Sequence, residues 1–459
     1  MSARRTLPWP LVALFTAGYL APYLLPTVVG RLDSGLPLSP TQAGAVGSAL
    51  LLGSAAAGFL LASRVDRTGP RTLARAGLVL AALGYGGAAL TAFVPAVVAG
   101  AVAGGFGSGT VTAVAATAIA AHRDPHRVTT LGLFGVSALA GALYLTIPHL
   151  GPGHGVPLAA IALTALAVLP LTGRLPGRTA PARTASSAHA RLPHPRAGLL
   201  LAAAMPCWSL AQNALWGVSG RIGLDQAHLS EVTVGAVFAV ALGAGLLGVV
   251  GAGALGPRLG QAVPIGAGTA LIAGCIALSA SASGLPSFAA GEISWNLLYP
   301  VVLSYVIGLA ASLDPRGRWA VLVGSAASLG TAAGPLAGSV LAAGAGFPAM
   351  GRLLAAGLLL IAAPMTAVAL RAGRRPLRGT ELPVVEIPVV EIPVVEIPVV
   401  EIPVVEIPVV EIPVVEIPAA QLPVTELPVV EVPLEAPAPA DRGAYDTASP
   451  NSYASTSAR

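Results

Sequence analysis

One carboxylate in this 459-residue chain stands inside an apolar run rather than at its edge. Glu292 has Asn296 at i+4 and Tyr299 at i+7, on one helical face, with Trp295 alongside. Burying an ionised acid in hydrocarbon costs several kcal/mol, so such a residue faces a cavity and marks the path of an ion or a substrate. Its chemistry is reversible proton binding. The alternative is a structural or gating ion pair with Arg221 or Arg352, which the long arginine side chains could reach. Two further groups offer hydrogen-bonding tips beside π faces. Gln212 and Trp216 are spaced i, i+4 with Asn213 adjacent, and Thr16, Tyr19 and Tyr23 sit in the first apolar run. A short charged loop, Asp66-Arg67-Thr68-Gly69-Pro70-Arg71, carries an acid able to accept charge-assisted bonds from arginine or from helix N-terminal N–H groups.

Bond-making chemistry finds no support. His122 and His126 have i, i+4 spacing, but Asp124-Pro125 between them should end a helix; the other five histidines fall in predicted loops or ends, so no metal site is expected. Cys207 and Cys275 lie inside predicted spans and read as small packing residues rather than a disulfide. There is no phosphate-cradling glycine loop of the ATP-driven type. The chain is not expected to be an enzyme or to need a cofactor.

The elements that position these residues must be membrane helices. The hydrophobic fraction is 55%, charged residues are 10%, and the mean hydropathy is +0.79. A soluble domain carries about a quarter charged residues. A spanning helix needs roughly 20 apolar residues. Twelve such runs are predicted, at 9–30, 41–62, 72–93, 95–120, 128–150, 155–172, 198–220, 232–254, 262–283, 286–311, 318–342 and 349–371. Arg4 and Arg5 before the first run suggest a secretory leader, but no small-x-small cleavage site follows promptly, so the run is read as an uncleaved first span.

Lysine is absent, so arginine alone reports orientation. With both termini cytoplasmic, 20 arginines before residue 381 fall in cytoplasmic segments and only Arg31, Arg221 and Arg352 fall outside. Cationic loops stay in the cytoplasm, which fixes the topology. The net charge of +5 thus reflects membrane orientation, and nucleic acid is not an expected partner. The missing lysine points to a GC-rich genome, hence the plasma (inner) membrane of a bacterium.

The loop Asp66–Arg71 between the second and third spans resembles the signature loop of the major facilitator superfamily, over about residues 8–372. In that family the loop recurs in the second half, and here Gly253-Ala254-Leu255-Gly256-Pro257-Arg258-Leu259-Gly260 stands in register: Arg258 and Gly260 match, with Pro257 in place of the acid. Ala62 replaces the glycine expected four residues before Asp66. The resemblance implies an all-α fold of twelve transmembrane helices in two pseudo-symmetric six-helix bundles. The domains are then 1–172, a cytoplasmic linker 173–197, a second bundle 198–372, and a disordered tail 373–459. It implies that Asp66, Arg67, Gly69, Arg71, Arg258 and Gly260 form a cytoplasmic latch between the bundles; ordinary orientation-setting arginines with one incidental acid are the plainer alternative.

In the family, spans one, four, seven and ten line the central cavity. This would bring Thr16, Tyr19, Tyr23, Gln212, Asn213, Trp216, Trp295, Asn296 and Tyr299 together as an amphipathic, π-rich substrate pocket. Gly330-x3-Gly334-Pro335-x2-Gly338 in span eleven looks like an antiporter motif that drug exporters carry in span five, so helix packing is the expected role here. Span four has Ala101 where drug antiporters carry a base, which departs from the standard drug/proton mechanism.

From Pro383 the unit PVVEI repeats seven times, and 13 acids face 2 arginines from residue 381 onward. Proline every fifth residue forbids a helix, and the period matches neither a strand nor polyproline, so an extended mobile segment is expected. The resulting expectation is a monomeric secondary transporter, exporting a small organic solute in exchange for protons. Proton-symport uptake, and a non-transporting receptor or scaffold acting through the tail, are the alternatives. Deleting residues 381–459 separates the last of these: solute flux in vesicles is expected to persist within about twofold, since a tether adds no transport contacts, whereas a scaffold loses its output.

Overall fold

Proline and glycine, more than apolar periodicity, decide how these helices bend and meet. The computed structural model describes residues 8–61, 64–175, 192–314 and 317–373, and these form helices joined by short turns and loops. In order they are α1 (Trp9–Tyr23), α2 (Leu25–Gly35), α3 (Pro40–Leu61), α4 (Val65–Thr68), α5 (Pro70–Ala89), α6 (Val94–Ala120), α7 (Pro125–Thr146) and α8 (Gly155–Val168), followed by α9 (Pro195–Arg221), α10 (Glu231–Leu255), α11 (Ala262–Ala280), α12 (Leu285–Leu313), α13 (Arg318–Ala345) and α14 (Phe347–Gly373). Among the described residues eleven helices are long and apolar enough to cross a bilayer, or twelve with α1 and α2 taken as one bent span. Large apolar side chains such as Leu83, Phe93, Leu163, Leu247 and Leu360 are exposed, as a lipid-facing surface requires.

The first span departs from expectation. In place of one helix over 9–30, α1 and α2 meet at Leu24 with a 47° bend and continue to Gly35. The reason is Pro26, which has no N–H to donate to the Pro22 carbonyl four residues earlier. The seventh span also runs on, through a wide turn over Ile222–Gln226, so that Arg221 is buried in a helix rather than set in a loop.

The six spans through α8 form one bundle, in which α6 packs on α3 and α5, and α1 on α6 and α7. The spans from α9 form the second, where α13 packs on α9, α14 on α11, and α12 on α10 and α11. Between the bundles α3 meets α13, α7 meets α10, and α2 meets α9. Second span against eleventh and fifth against eighth are one contact repeated by the pseudo-two-fold axis.

Small residues permit the closest of these approaches. A Cβ on Gly330 would strike the Pro206 carbonyl, one on Gly334 would lie 2.5 Å from Asn213 Cβ, and one on Gly338 would strike the Ala214 carbonyl. The glycine stripe of α13 therefore serves helix packing against α9, where contact replaces the hydrophobic force absent in lipid. Gly338→Val is expected to destabilise the protein by about 1–3 kcal/mol through overpacking. Gly274→Ala, which meets nothing within 4 Å, should be neutral or slightly stabilising. Thermal unfolding of the purified variants checks both.

Candidate functional site

Glu292 sits on α12 about 10 Å along the helix from Leu285, at 1.5 Å per residue. It is fully buried. Two serines hold one of its oxygens: Ser219 Oγ of α9 donates to Oε1 at 2.7 Å, and Ser279 Oγ of α11 donates to the same atom at 2.6 Å. The other oxygen, Oε2, has no partner among the described residues. Gly291 makes this convergence possible, since a Cβ there would come within 2.7 Å of Ser279 Cβ. Neither Arg221 nor Arg352 pairs with the acid. Arg221 lies 3.8 Å from Asp33 and donates to Ser339 Oγ at 3.0 Å, while Arg352 is exposed. The carboxyl is thus lodged among hydroxyls rather than paired with a base.

Alongside it runs an aromatic array built from α9 and α12. Trp208 stacks on Tyr299 at 5.2 Å between ring centroids. Trp295 lies 6.0 Å from Tyr299 and 5.5 Å from Trp216. Phe238 of α10 continues the array, 5.2 Å from Trp216 and 5.0 Å from Tyr144 of α7. These separations suit offset and edge-on ring contacts. Gln212, fully buried between the tryptophans, accepts a bond from Trp295 Nε1 through Oε1. In the first bundle Tyr19 of α1 stacks on Phe15 at 4.5 Å between ring centroids.

Not every candidate joins this group. Asn213 donates to the Ser209 carbonyl and to Thr331 Oγ1 of α13, at 2.9 and 3.3 Å, and so braces the α9–α13 contact. Asn296 turns back on its own helix, donating to the Glu292 carbonyl at 3.0 Å. Thr16 lies against Gly135 of α7. Of the proposed latch, the side chains of Asp66 and Arg258 lie outside the described residues. Arg67 is exposed, and Arg71 donates to the Leu175 carbonyl of its own bundle at 2.6 Å. Gly69 and Gly260 have φ of +94° and +62°, a region that favours glycine, which accounts for a glycine in each loop copy.

Several groups at this site were not legible beforehand. Ser279, Phe238 and Tyr144 carry no spacing signal of their own, whereas Trp208 and Ser219 stand at i−4 and i+7 from Gln212, on the face it shares with Trp216. A stronger hint was the placing of opposite charges after the first span of each half, Arg31 and Asp33 in one, Arg221, Asp225 and Glu231 in the other. These cross between bundles: Arg31 Nε bonds Glu231 at 2.6 Å, and Arg221 reaches Asp33. Trp216 adds a third link, donating from Nε1 to the Pro22 carbonyl at 3.0 Å, the group that Pro26 leaves without its helical donor. Leu336 N–H donates to Ser48 Oγ at 2.9 Å, linking α13 to α3 beside Pro335. These links lie toward the end of the bundles where α2 joins α3, here called the distal end.

A family model of the Major Facilitator Superfamily matches residues 5–315. Among solved structures, the human organic anion transporter MFSD10 (TETRAN) aligns at 18% identity and a TM-score of 0.59, over 80% of this chain and 100% of that one. The POT family transporter PepTSo aligns at 12% and 0.65, over 82% and 100%. A mutant form of the nucleoside transporter NupG aligns at 12% and 0.63, over 79% and 99%. At these identities the likeness speaks for fold alone. No curated protein sequence matches the chain.

The Trp216 link is testable. Trp216→Phe should cost about 1 kcal/mol through loss of the carbonyl's donor. Pro26→Ala supplies a backbone N–H in its place, so the cost of Trp216→Phe in that background should fall toward zero, a coupling read from a double-mutant cycle of thermal unfolding.

Proposed function

Since the chain belongs to the major facilitator superfamily, we propose that it is a secondary transporter that exports a small amphipathic organic solute in exchange for protons. The observation that carries this reading is the Glu292 cluster. A carboxyl buried in a membrane protein and bonded by hydroxyls has no counter-charge to hold it ionised, which suits an acid that takes up and loses a proton within the cycle. Ser219 fits both states. Its single proton has two acceptors in reach, the Leu215 carbonyl at 3.0 Å and Glu292 Oε1 at 2.7 Å. It can turn to Glu292 when the carboxyl is ionised, and to Leu215 when the carboxyl carries its own proton and donates to Ser219 Oγ. The carboxyl is then bonded in either state.

Coupling follows from position. Ser219 stands three residues from Trp216 on α9, and Glu292 three residues from Trp295 on α12, so a change at the acid moves the two helices that build the aromatic array. A solute lying among Trp208, Trp216, Trp295, Tyr299 and the α1 tyrosines would feel that change as altered contact, which is what reciprocal binding of proton and solute requires. By the arginine rule the distal end is the outer one. The links joining the bundles there fit a state closed to the outside, from which solute would enter the cavity on the cytoplasmic side. The Asp66–Arg71 loop and its Arg258 copy would serve as the opposing latch in the other state. The plasma membrane of a bacterium is the proposed setting, with both termini cytoplasmic.

Inverted vesicles with an imposed pH gradient test this, challenged with pools of lipophilic cations, aromatic acids, sugars and amino acids. A pool that dissipates the gradient through wild type is expected to do so at least tenfold more slowly through Glu292→Gln, about 1.4 kcal/mol or more in coupling, with the variant still monodisperse. Dissipation that is equal in the two proteins would remove Glu292 from coupling. Proton movement only in the opposite sense would make the protein an uptake symporter.

A further inference from the structure

Between the bundles at the distal end lies a cavity of about 280 Å³, lined by the charged residues of the links that join the bundles there. Its charged lining is graded with depth. Arg31 and Arg221 are buried, 5% and 6% exposed, and each has an N–H group without a partner among the described residues: Arg31 Nη2 and Arg221 Nε. Asp225 is exposed at the rim and makes no hydrogen bond or ion pair among the described residues, and Asp33 is only 3.8 Å from Arg221, too far for a hydrogen bond. Tyr144 and Phe238 give an apolar aromatic wall.

Buried unpartnered guanidinium N–H groups call for an anionic acceptor, because leaving them unbonded is costly. A simple anion is nonetheless a poor match. Arg31 is already matched by Glu231, and with Asp33 and Asp225 the lining carries three acids against two arginines. A ligand that brings a carboxylate inward and an ammonium outward answers both observations, since the second charge would lie among the rim acids. The volume lies just below the roughly 300–1,000 Å³ of drug-sized pockets, which sets the scale of the ligand. We infer that this cavity is a binding site for a small zwitterion with an apolar side chain, its carboxylate on Arg31 and Arg221 and its ammonium at Asp225 and Asp33. Tyr144 and Phe238 also belong to the aromatic array beside Glu292, but the charges that would hold the zwitterion make no bond to Glu292, and the inference holds whichever way solute moves.

Three near-isosteric probes test it on the full-length protein in detergent, by titrating thermal unfolding: L-leucine, isoamylamine, which lacks the carboxylate, and 4-methylpentanoate, which lacks the ammonium. L-leucine is expected to bind at least tenfold more tightly than either, each missing charge removing one charge-assisted interaction. In Asp225→Asn, an exposed change with no bonds to lose, L-leucine should fall to within about threefold of 4-methylpentanoate. Equal binding of all three probes, binding of none, or L-leucine binding unaffected by Asp225→Asn would each overturn the proposal. The comparison of probes on wild type stands even if the variant does not fold. Transport is not read in this experiment, so its failure leaves the Glu292 reading untouched.

Discussion

Backbone hydrogen bonding in lipid is the constraint on which the rest of this structure depends. No water is present in the hydrocarbon core to satisfy a freed carbonyl or N–H, so each break in a helix must be answered by a neighbouring side chain. Pro26 frees the Pro22 carbonyl, and Trp216 of the other bundle takes it up. The adjacent Tyr23 carbonyl accepts the Tyr144 hydroxyl at 2.6 Å. Beside Pro335, the Leu336 N–H reaches Ser48 across the same division. The prolines bend helices, but they also place polar backbone groups on the surface between bundles, where the bonds that answer them become links between the halves.

The same scarcity of polar groups governs Glu292. In water its environment would be ordinary; inside a bundle, two serine hydroxyls are a minimal solvation shell. Ser279 reaches the carboxyl because Gly291 lets α11 lie against α12. Ser219 lies on the helix that also carries Trp208, Gln212 and Trp216, so the hydroxyl that solvates the acid and the rings beside it belong to one element.

Much of this was legible in the sequence, for a physical reason. A lipid-facing helix must be apolar around most of its surface, so the spans announce themselves in composition, and an acid inside one stands out. The helix over 9–30 misled because Pro22 and Pro26 sit in an unbroken apolar run, and prolines are tolerated in such runs when neighbours repair the backbone. Which neighbour does so is a tertiary fact: Trp216 lies 194 residues away. Ser279 was illegible for the opposite reason, since serine occurs in many spans and only the approach at Gly291 singles it out. Asn213 and Asn296 show the limit of helical-face reasoning, as amides satisfy themselves with the nearest carbonyl or hydroxyl rather than wait for a solute.

The exchange of charges at the distal end has a consequence for how the protein is made. Arg31 and Glu231 are 200 residues apart in the chain. At a synthesis rate of about 5–20 residues per second, roughly 10–40 s pass between their emergence. During that interval the first half lies in the membrane with an arginine whose carboxylate does not yet exist, so Arg31 must stay at the wet headgroup layer. Only when the second half arrives can α2 settle against α9 and bury it. The 47° bend at Leu24 turns α2 out of line with α1, so the stretch that carries Arg31 is a helix of its own and the burial of that arginine is completed by the second half of the chain.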